Sequence, residues 1–192
     1  MIKLSEKIKE SIKVKKELLK LDKKINISIE MIYNCIKNNS KVLTCGNGGS
    51  AADAQHLSAE FIDRLRPKVN RKPMPILSLA LDTSHLTACS NDFSFKDVFS
   101  RSLEAFGKKD DILLAISTSG NSKNIIEVLK KAKKMKIHSI ALLGYNGGLA
   151  KKYADTSLIV KSNNTARIQE SHIFIGHFIL ESVERKILNK IK

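Results

Sequence analysis

The 192-residue chain is predicted to be an α/β protein: a three-layer αβα, doubly wound, five-stranded parallel sheet with an N-terminal helical arm. Three observations predict this. Short apolar runs alternate with amphipathic helical segments from Lys41 onward, the pattern of a parallel sheet covered on both faces. Right-handed crossovers between such strands wind the chain into three layers. The residues before Lys41 follow a different rhythm, helical throughout.

In the first 39 residues, Ile8, Ile12, Val14, Leu18, Leu19, Ile25, Ile29, Ile32 and Ile36 recur at about 3.6-residue spacing among lysines. This arm has no strand of its own, so its apolar stripe needs a partner, and a helical bundle between subunits is one solution. The remainder, 40–192, forms the core of the same single domain. Candidate strands are "KVLTC" (41–45), "PILSLAL" (75–81), "DILLAIS" (111–117), "SIALLG" (139–144) and "TSLIVK" (156–161). Helices are expected over 51–65, 94–106, 122–135, 147–153 and 166–190. Ligands in such sheets bind beyond the carboxyl ends of the strands, so the loops directly after strands carry the chemistry.

Composition bounds the function. Hydrophobic content of 42% and charged content of 28% are those of a soluble globular domain. No apolar run approaches the roughly 18 residues of a membrane span. The N-terminus is charged throughout, unlike a secretory signal. Cys35, Cys45 and Cys89 share no metal-type spacing and fit buried thiols in a reducing cytoplasm. The net charge of +15 comes mostly from 28 scattered lysines. With no arginine-rich arm or aromatic-interleaved basic strand, it reads as solvated faces rather than a nucleic-acid surface, and it would favour a phosphorylated small substrate.

Four segments stand out. "CGNGGS" (45–50) joins a strand to a helix; Gly46, Gly48 and Gly49 allow close ligand approach, Ser50 is a candidate N-cap, and the helix N-terminus offers free N–H groups. The loop lacks the third glycine of a dinucleotide site and the lysine of a P-loop, so no nucleotide cofactor is expected; a simple turn and an anion or sugar site both remain open. "ISTSGNS" (116–122) places Ser117, Thr118, Ser119 and Ser122 around Gly120 at a second helix N-terminus. That suits a phosphate monoester, against the alternative of an ordinary capping turn. His56 and Glu60 are i and i+4 on one helix face, either a surface pair or a metal or acid–base pair. The last helix, "TARIQESHIFIGHF" (165–178), is largely apolar yet carries Gln169, Glu170, His172 and His177. His172 reads as structural. Gln169 and His177 are eight residues apart, about 12 Å of helical rise, so meeting at one point would need a distorted helix or two subunits.

Taken together, "CGNGGSAADAQH", Asn91-Asp92 in "SNDFSF", "ISTSGNS" and "ARIQE" resemble, in order, the phosphoheptose isomerases of the SIS (sugar isomerase) superfamily, with a flavodoxin-like core. The resemblance covers the chain from about Lys41 to its end, with a compatible arm before it. It implies conversion of D-sedoheptulose 7-phosphate to D-glycero-D-manno-heptose 7-phosphate in bacterial heptose biosynthesis for lipopolysaccharide or capsule. It implies a cytoplasmic homotetramer with sites at subunit interfaces and one zinc ion per site. By motif match, Ser117, Thr118, Ser119 and Ser122 would hold the phosphate. Asn47, Gly48, Gly49, Ser50, Arg64, Asn91, Asp92 and Gln169 would line the sugar. His56, Glu60, Gln169 and His177 match the metal positions, and Glu60 and His177 the catalytic pair. The chain departs from some members at Ala166, where they carry an acidic residue, and at Asp63, where they carry glycine.

Two other readings share the fold. The DnaA initiator-associating protein resembles these isomerases but lacks the glutamate and histidine that this chain keeps at 60 and 177. A sugar-phosphate sensor would carry a DNA-binding domain, for which 192 residues leave no room.

Overall fold

The computed structural model of the chain describes residues 2–189. Five strands, β1 (Val42–Gly46), β2 (Ile76–Ser78), β3 (Ile112–Ser117), β4 (His138–Gly144) and β5 (Thr156–Val160), form one sheet. All pairs are parallel, in the order β2-β1-β3-β4-β5. The three central strands are continuous apolar runs because both their faces are covered; β1 and β3 are buried along their whole length. The order reverses direction between β1 and β3, where Gly46 stands beside Ile116. The crevice at such a reversal, outside the carboxyl ends of the strands, is where ligands bind in this class of sheet. The two loops singled out in the sequence leave β1 and β3 there.

Helices α1 (Leu4–Glu17), α2 (Asp22–Lys37), α3 (Gly49–Ile62) and α7 (Thr165–Asn189) cover one face. Helices α4 (Thr83–Asp92), α5 (Val98–Phe106) and α6 (Lys123–Lys134) cover the other. Each face has its own apolar core, and residues such as Leu43, Leu113 and Leu143 alternate with Val42, Leu114 and Leu142 in filling them. Among the described residues no helix is long and apolar enough to cross a membrane. All three cysteines are free and buried; burial pushes the Cys35 thiol up to about 12.

Several elements differ from expectation. The arm is two helices joined by a 3-10 turn, Leu18–Leu21. Its stripe is only half covered: Val14, Leu18, Ile25, Ile29 and Ile32 are buried, whereas Ile8, Ile12 and Leu19 are exposed. The apolar run 75–81 contributes only three residues to the sheet, because β2 is an edge strand paired on one side. Helix α4 was not anticipated: its one buried hydrophobic residue is Cys89, so it carries almost no apolar period. The expected helix 94–106 is a 3-10 turn, Phe95–Asp97, followed by α5. In place of a helix over 147–153 there is one 3-10 turn, Ala150–Lys152.

Candidate active site

Gly48, with φ of +54°, occupies the N-cap position of α3; Ser50 therefore lies inside the helix and is buried, not its cap. Asn47 exchanges two amide hydrogen bonds with Asn124 at the start of α6, at 2.9 and 2.8 Å. This pair ties the glycine loop after β1 to the helix after β3, across the reversal of strand order. Asn124 is 2% exposed; its only trace in the sequence is an amide next to the apolar Ile125 and Ile126 on a buried helix start.

In the serine loop, the Gly120 N–H donates to Ser117 Oγ at 3.1 Å, and the Asn121 N–H to Ser119 Oγ at 3.1 Å. Ser122 is the N-cap residue of α6 by backbone position, yet its hydroxyl makes no capping bond. It lies 3.3 Å from Ser117 Oγ. The N–H groups of the first turn of α6 thus have no side-chain acceptor at Ser122, and the plain capping-turn reading fails there. A cleft of about 790 Å³ opens on the Ser119 and Asn121 side of this loop, with Lys161 and Tyr145 on its walls.

Helices α3 and α7 lie side by side and run in the same direction, and this brings the remaining residues together. Gln169 packs on the start of α3, where a Cβ on Gly49 would sit 2.2 Å from its Nε2; only glycine admits the amide. Two turns on, a Cβ at Gly176 would sit 2.7 Å from both methyls of the buried Leu57, so glycine again sets the helix separation. Next along, His177 Nε2 meets His56 Nε2 at 2.9 Å, with the rings edge to face. Glu60 Oε1 is 3.7 Å from the same His56 nitrogen, and Glu60 Oε2 is buried with no hydrogen-bond partner among the described residues. Two facing imidazole nitrogens can share only one proton between them. Burial, and His56 beside it, hold the His177 pKa below its usual value, with Glu60 opposing.

Three of the four expected metal-associated residues, His56, Glu60 and His177, therefore meet, while Gln169 lies along α3 at Gly49. Helix α7 is continuous, so the distance along it is kept: Gln169 and His177 touch α3 seven residues apart, about 10 Å. Among the described residues no group of three or more His, Cys, Asp or Glu side chains is arranged to hold a metal. Arg64 is not on the helix after Glu60, because α3 ends at Ile62, and its side chain is exposed. Asn91 and Asp92 are exposed at the end of α4 and bond to each other at 2.8 Å. His172, expected to be structural, is fully buried in α7.

Asp53 was overlooked. It precedes His56 by three residues on the same face of α3, and its Oδ2 is buried without a partner. Burial raises its pKa, with His56 opposing. The i, i+3, i+7 spacing of Asp53, His56 and Glu60 was the available signal.

The sequence profile of the SIS domain matches residues 6–144. The chain is 46% identical over 186 residues to the phosphoheptose isomerase of Clostridium acetobutylicum, covering 95% of this chain and 94% of that one. The chain belongs to the phosphoheptose isomerase family of SIS domains. Its fold agrees with solved members. The phosphoheptose isomerase of Neisseria gonorrhoeae superposes with a TM-score of 0.89 at 40% identity, over 95% of this chain and 97% of that chain. That of Francisella tularensis does so with 0.90 at 33% identity, over 95% and 96%. Family membership fits the loops that leave β1 and β3 at the strand reversal and the polar contact between α3 and α7.

Proposed function

We propose that the chain is an aldose–ketose isomerase that converts D-sedoheptulose 7-phosphate to D-glycero-D-manno-heptose 7-phosphate through an enediol, in bacterial heptose biosynthesis. The observation that carries this reading is the meeting of Glu60 and His56 on α3 with His177 on α7, 121 residues from His56, in a phosphoheptose isomerase fold. The regulatory reading has no comparable support, since the matched relatives carry the isomerase name.

In the ketose-to-aldose direction, the Glu60 carboxylate takes a proton from C1. The C–H electron pair becomes the C1=C2 bond, and the C2 carbonyl oxygen gains a proton to give the enediol. Collapse reverses the order: the C1 hydroxyl loses its proton as the C1 carbonyl forms, and C2 receives a proton. His177, held neutral near pH 7 by its lowered pKa, can give and take the oxygen-bound protons and assist ring opening. Ser117, Thr118, Ser119, Ser122 and the first turn of α6 hold the phosphate, which the uncapped start of α6 supports. Asn47, Gly48, Gly49, Ser50, Arg64, Asn91, Asp92 and Gln169 line the sugar. Arg64 is exposed, and the exposed Asn91 and Asp92 side chains bond to each other, which fits a site completed by a neighbouring copy. The exposed Ile8 and Ile12 on α1 and Phe174 and Phe178 on α7 supply apolar surface for such an assembly, read here as a homotetramer. A cytoplasmic location belongs to the same reading.

A zinc ion fits the donor chemistry: two facing imidazole nitrogens and a carboxylate with a buried, unpartnered oxygen are groups that a cation would satisfy. His56, Glu60 and His177 would hold it, and the same chain's Gln169, about 10 Å away along α3 at Gly49, stands outside that set. When bound, zinc would polarise the oxygens at C1 and C2.

The test is isomerisation itself. Purified protein given sedoheptulose 7-phosphate is expected to form the aldoheptose phosphate, and Glu60→Gln to abolish turnover while sugar-phosphate binding persists. Normal turnover by Glu60→Gln would show the base assignment to be wrong.

A further inference from the structure

The segment from residue 63 to 75 links α3 to β2 and carries no motif, yet it contains the most committed cation among those described here. The Arg71 side chain is 4% exposed. Its Nη2 donates to the Glu60 carbonyl at 2.8 Å, and its Nη1 to the Phe61 carbonyl at 2.8 Å and the Lys72 carbonyl at 3.1 Å. Its Nε donates to Glu184 Oε1 on α7 at 2.7 Å. The other oxygen of Glu184, itself 1% exposed, accepts from Arg66 Nε at 2.7 Å. Glu60 and Phe61 are in the last turn of α3, whose carbonyls run out of helical partners. Glu184 follows His177 by seven residues, about two turns, on the same face of α7.

We propose that Arg71 is a positioning residue for the isomerisation: it clamps the end of α3, at the carbonyl of Glu60 itself, onto the helix that carries His177. The role rests on the reading of Glu60 and His177 as the acid–base pair. The two side chains stand on different helices, and the Gly176–Leu57 contact sets how near the helices come without fixing how far one slides along the other. A guanidinium bonded to two successive carbonyls on α3 and a carboxylate on α7 does fix it, because the fork is planar and directional. Stability alone is a poor reason for such a group, since apolar residues of similar volume commonly replace a buried ion pair without loss. Geometry is a better one: misplacing a catalytic group by about 1 Å can cost on the order of 100-fold in rate.

The experiment compares wild type, Arg71→Met and the double variant Arg71→Met/Glu184→Leu, measuring kcat, KM and Tm with sedoheptulose 7-phosphate. The single variant leaves Glu184 short of a partner and is expected to lose both Tm and kcat. The double variant removes that buried charge, and Arg66, 31% exposed, can turn to water. Its Tm is expected to recover towards wild type while kcat stays at least fivefold low. Its KM should remain within about threefold, because the serine loop stands on β3 and α6, away from the clamp. A double variant with kcat within fivefold of wild type, or one that recovers neither Tm nor kcat, overturns the positioning role. Absence of turnover in the wild type would overturn the reaction itself, a distinct failure from an active wild type with an undiminished variant.

Discussion

His172 should make the protein lose stability in mild acid, and by an amount the structure sets. The ring is fully buried in α7, and among the described residues neither nitrogen has a hydrogen-bond partner of full geometry, the Leu143 backbone being only a weak one. Burial drives its pKa down to about 4 from 6.5, with the Leu143 backbone offsetting part of the effect. Below about pH 6.5 the unfolded chain takes up a proton at this position while the folded chain does not. The unfolded state then binds more protons, so stability is complete above pH 6.5, falls as the pH drops towards 4, and falls no further from this group below that. At about 1.4 kcal/mol per pH unit the loss is about 2 kcal/mol at pH 5 and about 3 kcal/mol in full. His172→Leu keeps a similar volume and removes the titration. Urea unfolding of both proteins at matched concentration, followed by circular dichroism from pH 7.5 to 4.5, isolates the effect, since every other titrating group is common to both. The variant should gain about 2 kcal/mol on wild type between pH 7.5 and 5. Parallel curves would refute the reasoning, and would mean that the ring is hydrated or hydrogen-bonded in the folded protein.

Three further outcomes are expected. Gly49→Ala puts a methyl 2.2 Å from Gln169 Nε2, so the amide must move; kcat/KM should fall by about tenfold or more while Tm drops by only a few degrees, consistent with overpacking of about 1–3 kcal/mol, and an unchanged kcat/KM would remove Gln169 from the site. Elemental analysis of natively purified protein should find zinc, and chelation should lower activity in a way that added zinc restores; a zinc-free, chelator-indifferent enzyme would remove the metal. Light scattering should report a tetramer, and Ile8→Glu/Ile12→Glu should shift it to smaller species; a monomeric wild type would contradict assembly through the exposed apolar surface of α1 and α7.

What local sequence could disclose depended on how each element is stabilised. The central strands were legible because burial on both faces demands unbroken apolar runs, as in "ILLAIS" and "SIALLG". The edge strand β2 was overread for the same reason: "PILSLAL" is as apolar as a central strand, but only Ile76–Ser78 are in register with β1 as a strand. Helix α4 was missed because its polar sequence packs through little more than Cys89, leaving no period to detect. The site divided likewise. The glycine and serine loops could be read from residue types and from their place after strands, while Asp53 carried a usable spacing that was passed over.

The sequence by itself determined the alternation of strands and helices, the glycine and serine loops after β1 and β3, the His56–Glu60 face and the family. Each is written within one turn or one strand, or in an ordered set of short motifs. Only the tertiary structure decided that Asn47 meets Asn124, that Gln169 rests on Gly49, that His177 touches His56, and that Arg71 joins Glu60 to Glu184. Apart from the Arg71–Glu60 bond, which spans 11 positions, those contacts join residues 77 to 121 positions apart. Their partners are chosen by the strand order and by how closely α3 and α7 approach, and no local periodicity records either.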